Sequence, residues 1–359
     1  MTKTIPLFSR FSALAKSMPY LSIGNFPTQI DPLNGLSKKL GRFNLFIKRD
    51  DISGIVYGGN KVRKLEFLLA DAKKRGAKRV ITNGAAGSNH ALATALYAKQ
   101  AGLAATLVLS EQIPSSVVCA NLLADAFSGA KMIYEEKYEN IDTVVENLVG
   151  QYEHVEGQKP YVIPAGGSSS LGAMGYVNAA FELKEQIDKG EIAEPDTVFI
   201  PFGTMGTAAG LLLGLKAADL KSRLVAVLVT PPFVANLDKF IVLFKSINDL
   251  LIKNDPSIPV FPFSEDDFTI CHDFYEPGYG NASDEVVSAI KTIENTDGIH
   301  LDITYSGKAF AAFCASAKNH VDNDKPLLFW NTKNSRALPE YSQKIDYHTL
   351  PKGFHRYFI

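Results

Sequence analysis

Short apolar runs alternate with longer amphipathic segments along most of this chain, and that alternation limits the folds it can adopt. The runs are rich in β-branched and aromatic residues, and most lack the strict alternation of a half-solvated strand. They cover 43–47, 79–82, 105–109, 131–134, 197–200, 224–229 and 327–330. Between them, helical spacing is typical, as for Leu65, Leu68, Leu69 and Ala72 at i, i+3, i+4 and i+7. The pattern predicts an α/β protein with mostly parallel strands and crossover helices.

The length of the chain favours two lobes, because 359 residues exceed what one medium-sized domain usually holds. No internal repeat, low-complexity tract or Pro-rich linker separates two consecutive domains, so we expect the lobes to interleave. The most Gly/Ser-rich stretch, 161–170, divides the earlier strand–helix repeats from the later ones. We expect the chain to cross between the lobes there.

The charge balance points to a small-molecule partner. The 37 Lys and Arg residues against 38 Asp and Glu residues give a formal net charge of -1, so no overall field attracts nucleic acid or acidic lipid. No run approaches the roughly 20 apolar residues of a membrane span. We therefore expect neither a nucleic-acid partner nor a membrane partner.

The three cysteines, Cys119, Cys271 and Cys314, lie far apart and lack the spacing of a disulfide framework or a zinc site. This predicts a cytoplasmic protein without a metal centre. Residues 1–30 contain basic side chains and no acidic one, which weakly resembles a transit peptide. An ordinary ordered lead-in is the favoured interpretation, because no apolar signal core is present.

The first candidate site is the segment 57–64, YGGNKVRK. Its two glycines permit an unusual backbone, Asn60 suits an N-cap, and Lys61 would open the amphipathic helix. An ammonium group at a helix N-terminus faces the positive end of the helix dipole, which favours a nucleophilic free amine. The alternative is a solvated basic first turn.

The second candidate site, 82–90, is a strand that runs through small residues into Ser88, Asn89 and His90 as a helix begins. Free N–H groups there, with the Ser88 hydroxyl and the Asn89 amide, could hold a carboxylate or a ring oxygen. A tight turn with a capping serine is the alternative. For His90 the alternative is a histidine packed on a helix face.

The third candidate site is the glycine turn after strand 197–202, which contains Thr204, Met205, Gly206 and Thr207. Its amide and hydroxyl donors could hold a phosphate at the N-terminus of the following helix. The segment has neither a Walker A sequence nor GxGxxG spacing, so a phosphate monoester fits better than a nucleotide. A turn without a ligand is the alternative.

The fourth candidate site combines Tyr279 with Tyr305 and Ser306. The two phenols could face a ligand, and Ser306 could bond to a ring nitrogen. Buried structural tyrosines are the alternative.

Together these segments resemble the fold-type II pyridoxal-phosphate (PLP) enzymes that include 1-aminocyclopropane-1-carboxylate (ACC) deaminase and D-cysteine desulfhydrase. The resemblance runs through most of the chain, and the GGNK-x-RKLE block is specific to this group. The matching blocks are 47–54 (IKRDDISG), 58–66 (GGNKVRKLE), 87–90 (GSNH), 163–168 (IPAGGS), 171–176 (LGAMGY) and 305–308 (YSGK).

The resemblance implies a tryptophan synthase β-like fold with two lobes, each a mostly parallel sheet flanked by helices. The large PLP-binding domain would comprise 1–63 and 172–359, and the small domain 64–171. The family assembles as homodimers, so a homodimer is also implied.

The resemblance also implies roles for individual residues. Lys61 would be the Schiff-base lysine with Asn60 beside it, Asn89 would accompany the cofactor ring hydroxyl, and Ser88 with the following amides would hold the substrate carboxylate. The other assignments are Thr204, Met205, Gly206 and Thr207 to the cofactor phosphate, Ser306 to the pyridine nitrogen, and His90, Tyr279 and Tyr305 to the substrate pocket. Lys61, Ser88, Tyr279 and Tyr305 would take part in catalysis.

The chain departs from the family pattern at several positions. Ser306 replaces the glutamate of the ACC deaminases, Met205 stands where the phosphate loop usually has glycine, and Gln112 falls where the deaminases have tryptophan. A late HTGG segment is replaced by Asn331–Asn334 (NTKN). Because a serine does not keep the ring nitrogen protonated as a carboxylate does, reactions that expel a β leaving group promptly are favoured.

The sequence therefore predicts a PLP-dependent lyase or deaminase that acts on a small amino acid. The favoured reaction is β-elimination from D-cysteine or a related β-substituted amino acid to a 2-oxo acid, ammonia and sulfide. Deamination of ACC to 2-oxobutanoate is the nearest alternative. A PLP-binding protein without turnover is another.

Overall fold

The computed structural model describes residues 4–319 and 325–359. Ten strands in that part of the chain form a six-stranded sheet and a four-stranded sheet. The strands are β1 (Ile30–Pro32), β2 (Leu45–Lys48), β3 (Arg79–Ala85), β4 (Ala104–Ser110), β5 (Lys131–Glu135), β6 (Tyr161–Ile163), β7 (Thr197–Phe202), β8 (Arg223–Leu228), β9 (Phe268–Cys271) and β10 (Leu327–Trp330).

The six-stranded sheet has the order β1-β2-β10-β7-β8-β9. Its strands are parallel except for β1, which pairs antiparallel with β2 so that Ile30 lies opposite Lys48. Every residue of β7 is buried, which explains the unbroken apolar run in its sequence, since helices cover both faces of such a sheet.

The four-stranded sheet has the order β5-β4-β3-β6 and is parallel throughout. Strands β3 and β4 end in register, with Ala85 opposite Ser110. The loops that follow them therefore leave the same edge of the sheet, and they place Ser88, Asn89 and Glu111 on one side.

Twelve helices in the described residues surround the sheets. They are α1 (Pro6–Arg10), α2 (Leu14–Ser17), α3 (Asn34–Leu40), α4 (Lys61–Lys74), α5 (Asn89–Gln100), α6 (Ser116–Ser128), α7 (Ile141–Glu156), α8 (Ser170–Asp188), α9 (Gly206–Ala217), α10 (Leu237–Asn254), α11 (Asp284–Asp297) and α12 (Ser306–Asn319). No helix among these residues is long and apolar enough to cross a membrane.

Helix α8 packs closely against both α4 and α9, and glycines make the close approach possible. A Cβ atom at Gly175 would lie 2.2 Å from the carbonyl oxygen of Arg63, and one at Gly210 would lie 2.2 Å from that of Ala173. Any larger residue would push the helices apart. The backbone of α4 is thereby held against α8 just after Lys61.

A buried ionic network ties α4 to the six-stranded sheet. The Arg63 guanidinium donates to Asp50 Oδ2 at 2.8 Å through Nε and to Glu182 Oε2 at 2.9 Å through Nη1. Lys48 Nζ donates to Glu182 Oε1 at 2.6 Å, and the Tyr176 hydroxyl donates to Asp50 Oδ2 at 2.6 Å. All four charged side chains are at most 2% exposed.

The charges of this network balance, two positive against two negative, and each carboxylate accepts several hydrogen bonds. Burial alone would raise the pKa of Glu182, but Arg63 and Lys48 outweigh that effect and hold the pKa well below its usual range. Breaking such a pair leaves an uncompensated charge in the interior, which costs far more than losing a surface ion pair.

All the predicted strands are present, with ends that differ by a few residues from the sequence-based bounds. The sequence did not reveal β1, β6 and β9, which are only three or four residues long. Length alone does not explain the omission, since the four-residue strands β2 and β10 were predicted from their apolar runs. The strands of the four-stranded sheet lie between 79 and 163, within the predicted small domain, whose exact boundaries stay a prediction.

We expect Glu182→Gln to lower the free energy of unfolding by about 3–5 kcal/mol, because Arg63 and Lys48 then share one carboxylate in a buried site. Urea unfolding at neutral pH measures the change. The depressed pKa of Glu182 means that its contribution is complete above its ordinary pKa of 4.5 and is lost as the pH falls below it.

The matched control is Glu185→Gln on the same helix. Glu185 is 49% exposed and lies 3.8 Å from Lys189, so we expect a change below about 1 kcal/mol. Equal effects of the two substitutions would contradict a stabilising role of the network.

Candidate active site

One cavity of about 370 Å³ brings together most of the side chains that the sequence singles out. It lies between the two sheets, next to the N-termini of α4, α5 and α9. Its walls include Asn60, Lys61, Ser88, Asn89, His90, Thr204, Met205, Thr207, Tyr279 and Tyr305. Gly206 and Ser306 are not among the lining residues.

Lys61 is the first residue of α4, and its amine is held by its neighbour. Lys61 Nζ donates to Asn60 Oδ1 at 3.1 Å, and Asn60 Nδ2 donates to Thr207 Oγ1 at 2.9 Å. Asn60 therefore links the lysine to the glycine turn instead of capping α4 with its side chain, as the sequence suggested. Burial lowers the pKa of Lys61 to about 8, so a useful fraction is the free amine near neutral pH.

The glycines before Lys61 are required by the segment 331–334, which packs against them. Gly59 has a φ of +92°, and a Cβ atom there would lie 2.9 Å from the carbonyl oxygen of Thr332. The Asn60 amide donates to that same oxygen at 2.9 Å, and the Gly58 amide donates to Asn334 Oδ1 at 2.7 Å. The position of Lys61 thus depends on this segment.

The glycine turn between β7 and α9 forms a cradle of small polar groups. Ser168 Oγ donates to Thr204 Oγ1 at 2.8 Å and accepts from the Gly206 amide at 3.3 Å. A Cβ atom at Gly206 would lie 2.6 Å from Ser168 Oγ. Met205, where the family usually has glycine, adopts a left-handed φ of +65°, which costs a side chain of this kind about 1–2 kcal/mol.

A lysine that the sequence analysis did not single out lies beneath this cradle. Lys64 is 1% exposed, and its Nζ donates to the Gly166 carbonyl oxygen at 3.0 Å and to Ser168 Oγ at 3.1 Å. Burial and the charge of Lys61 lower its pKa well below its usual range. Its only acceptors among the described residues are neutral, so a dianion such as a phosphate monoester would favour the protonated form of Lys64 and accept a charge-assisted hydrogen bond from it. The sequence signal that could have identified Lys64 as a site residue was its position within the GGNK-x-RKLE block.

At the N-terminus of α5, Ser88 Oγ accepts from the Ala91 amide at 3.2 Å. Asn89 Oδ1 accepts from the Tyr57 hydroxyl at 2.9 Å and from Asn121 Nδ2 at 3.3 Å, which leaves the Asn89 amide nitrogen as the donor. Tyr57 is 2% exposed; it opens the first candidate segment, but the sequence analysis gave it no role of its own.

His90 lines the cavity, but its side chain is almost fully buried and contacts another buried residue. It is 3% exposed, and its Nε2 lies 3.0 Å from Thr82 Oγ1. Burial, together with the charges of Lys61 and Lys64, lowers the pKa of the ring well below its usual range. A neutral imidazole results, and its assignment to the substrate pocket stays a prediction.

Tyr279 and Tyr305 meet on the opposite wall. Their hydroxyl oxygens are 2.5 Å apart and their rings are nearly perpendicular, at 79°. Burial raises the pKa of both phenols, so both remain protonated at neutral pH and share one short hydrogen bond.

Ser306 begins α12, and its side chain faces Asp302. Ser306 Oγ donates to Asp302 Oδ1 at 2.6 Å and accepts from the Asp302 amide at 3.0 Å. Asp302 also accepts from the Tyr305 amide at 3.0 Å, so it fixes the turn that presents Tyr305. Thr332, in contrast, does line the cavity.

Comparison with known proteins decides which family this geometry belongs to. A family model described as pyridoxal-phosphate dependent enzyme matches residues 21–332. The chain is a member of this family. Proteins of the family depend on PLP, and the cradle with Lys64 below it and Lys61 beside it fits a phosphate and an aldehyde. The predicted cofactor and enzyme class are thereby confirmed.

Individual relatives cover nearly the whole chain. The chain is 35% identical over 334 residues to a D-cysteine desulfhydrase of Salmonella typhi, which covers 91% of this chain and 97% of the relative. It is 34% identical over 331 residues to a D-cysteine desulfhydrase of Klebsiella pneumoniae, with 90% and 96% covered.

Among solved structures, an ACC deaminase homologue superimposes with a TM-score of 0.76 and 33% identity, covering 93% of this chain and 97% of that one. A threonine deaminase from Solanum lycopersicum has a TM-score of 0.61 at 18% identity, with 94% and 87% covered, and supports the fold alone. The fold-type II architecture predicted from the sequence is confirmed.

We expect Lys64→Met to weaken PLP binding by about 10-fold or more, because charge-assisted hydrogen bonds are worth roughly 1.5–3 kcal/mol. Titration of the apoprotein with PLP, followed by absorbance, measures the affinity. Lys74→Met at the exposed end of the same helix is the control. Unchanged affinity in Lys64→Met would contradict a role in the phosphate cradle.

Proposed function

We propose that this chain catalyses β-elimination from D-cysteine or a related β-substituted amino acid, releasing a 2-oxo acid, ammonia and sulfide. The observation that carries the proposal is the placement of a lysine amine with a pKa of about 8 in the same cavity as a hydrogen-bonded pair of tyrosines. The names of the relatives at 34–35% identity support it.

Different residues in and beside the cavity would bind different parts of the cofactor. Thr204 to Thr207, Ser168 and Lys64 would hold the phosphate, and Asn89 Nδ2 would donate to the ring oxygen. PLP, when bound through Lys61, supplies an electron sink for the bond broken at the substrate α-carbon. For the ring nitrogen, Ser306 stays the predicted partner, and Thr332, which lines the cavity, is the alternative.

Lys61 has the properties of the proton acceptor. Its lowered pKa leaves part of it neutral near pH 7, and the hydrogen bond to Asn60 limits its orientation. The proton leaves the substrate α-carbon for Lys61 Nζ, which is the role of a general base whose pKa lies near the working pH.

The tyrosine pair can protonate the leaving group. When the Cβ–S bond breaks, its electron pair goes to sulfur, and a protonated phenol donates a proton to it. Because the two hydroxyls are 2.5 Å apart, the second phenol can return a proton to the first. The released enamine then takes up water, giving the 2-oxo acid and ammonia.

The N-terminus of α5 is suited to the substrate carboxylate. Ser88 Oγ already accepts from the Ala91 amide, so its own proton is available for donation to the ligand. The free amides of the first turn and the helix dipole add to the attraction for an anion.

A second candidate reaction is the deamination of ACC to 2-oxobutanoate. The structural similarity to an ACC deaminase homologue favours it, and the same lysine and tyrosines would serve. A carrier that binds PLP without turnover is the remaining alternative. The feature that supports this alternative is Met205, whose backbone is strained within the phosphate cradle.

The test is 2-oxo acid release from D-cysteine, L-cysteine and ACC in parallel. We expect pyruvate and sulfide from cysteine, and loss of at least about 1,000-fold in rate in Lys61→Ala, because both base and attachment point are removed. Lys74→Ala, at an exposed position of the same helix, serves as the control. Full activity of Lys61→Ala would contradict the mechanism, and product from ACC alone would favour the second reaction.

We also propose that the enzyme is a cytoplasmic homodimer. The three free thiols support a reducing compartment, and the exposed Ile55 (83%) and Val56 (40%) next to the cavity wall support self-association. Sedimentation equilibrium at the mass of a single chain would contradict the dimer, and recovery in a membrane or organelle fraction would contradict the location.

A further inference from the structure

Three residues of the segment Asn331–Asn334 line the cavity, namely Thr332, Lys333 and Asn334. The segment follows β10 directly. Its backbone is fixed on both sides of Lys333, because the Thr332 carbonyl oxygen accepts from the Asn60 amide and the Asn334 side chain accepts from the Gly58 amide. Lys333 is therefore presented at a defined position beside the loop that leads to Lys61.

Lys333 is partly buried and lines the cavity. Within residues 4–319 and 325–359 it has neither an ion pair nor a hydrogen bond, unlike the other two lysines of the cavity region. Lys61 donates to Asn60 and Lys64 donates to Gly166 and Ser168. An ammonium that has lost part of its water without gaining a partner is matched best by an anionic group of a ligand.

The anionic groups common to the cofactor and to every amino-acid substrate already have their sites. The cradle with Lys64 suits the phosphate, and the N-terminus of α5 suits the α-carboxylate. What remains for Lys333 is an acidic group elsewhere on the substrate.

Two carboxylates also line the cavity, but neither neutralises Lys333. Glu111 pairs with Arg356 at 2.8 Å, and Glu136 lies on the exposed loop after β5. Neither forms an ion pair with Lys333. The ammonium therefore remains available to a ligand.

We propose that Lys333 determines specificity by binding an acidic group carried on the β-substituent of the substrate. This inference rests on the proposed function and adds a preference to it: among β-substituted amino acids, those with an anionic β-substituent bind more tightly than those with a neutral one. It concerns the fit of the substrate and leaves the roles of Lys61 and the tyrosine pair unchanged.

The binding test compares aspartate with alanine, both enantiomers of each, because neither carries a β leaving group. The change in cofactor absorbance of the holoenzyme gives their dissociation constants. We expect the aspartate-over-alanine preference to fall about 10-fold or more in Lys333→Met, as for loss of a charged hydrogen bond, and to persist in Lys333→Arg. Lys253→Met, at an exposed position of α10, is the matched control and should leave the preference unchanged.

The turnover test compares O-phosphoserine, whose β-substituent is anionic, with 3-chloroalanine, whose β-substituent is neutral until it departs as chloride. In Lys333→Met we expect kcat/KM to fall about 10-fold or more for O-phosphoserine and to change little for 3-chloroalanine. In both compounds the bond from Cβ to the leaving group breaks with its electron pair on the departing atom, so the chemistry is matched.

Three outcomes separate the possibilities. An aspartate preference that is the same in Lys333→Met and wild type would overturn the inference. Weaker PLP binding in Lys333→Met, with the aspartate preference unchanged, would also overturn the inference, because Lys333 would then bind the cofactor phosphate. Absence of 2-oxo acid from every substrate, with the Lys333-dependent aspartate preference still present, would overturn the proposed function and support the binding role.

Discussion

The Arg63 guanidinium, buried between the carboxylates of Asp50 and Glu182, joins three parts of the molecule on which the cavity depends. Asp50 follows β2 of the six-stranded sheet, Glu182 lies on α8, and Arg63 lies on α4 two residues after Lys61. The other contacts that hold this turn are the close packing at Gly175 and the hydrogen bonds of Gly58 and Asn60 to the segment 331–334. A fixed first turn is what allows one lysine to serve as a precisely placed amine.

Three lysines in or beside one cavity illustrate how environment separates side chains of the same type. Lys61, with a single amide oxygen as its partner, is poised to lose its proton near neutral pH. Lys64 is fully enclosed under the glycine cradle, where its amine can donate to a bound phosphate. Lys333 stands apart from both, on the part of the wall formed by Thr332, Lys333 and Asn334.

The sequence predicted the α/β class, the longer strands and most of the cavity wall because those features have local signals. Strands such as Thr197–Phe202 are long and continuously apolar, and the block around Lys61 has a distinctive composition. The short strand Phe268–Cys271 has no such signal and forms only because β8 offers a neighbour.

Other features depended on contacts between distant residues. Asn60 has the composition of a helix cap, yet its side chain bonds to Lys61 and Thr207, which is 147 residues away. Ser306 was assigned to the pyridine nitrogen from the family resemblance, whereas its hydroxyl is bonded to Asp302. The identity of a residue does not show which of several possible partners folding brings within reach.

The central claim is that Lys61, and neither Lys64 nor Lys333, carries the cofactor. Reduction of the holoenzyme with borohydride fixes the cofactor to its lysine, and mass spectrometry of the resulting peptides then locates the modified residue. The account predicts a pyridoxyl group on Lys61 alone. Modification of Lys64 or Lys333 instead, or no modification of a protein that binds PLP, would contradict it.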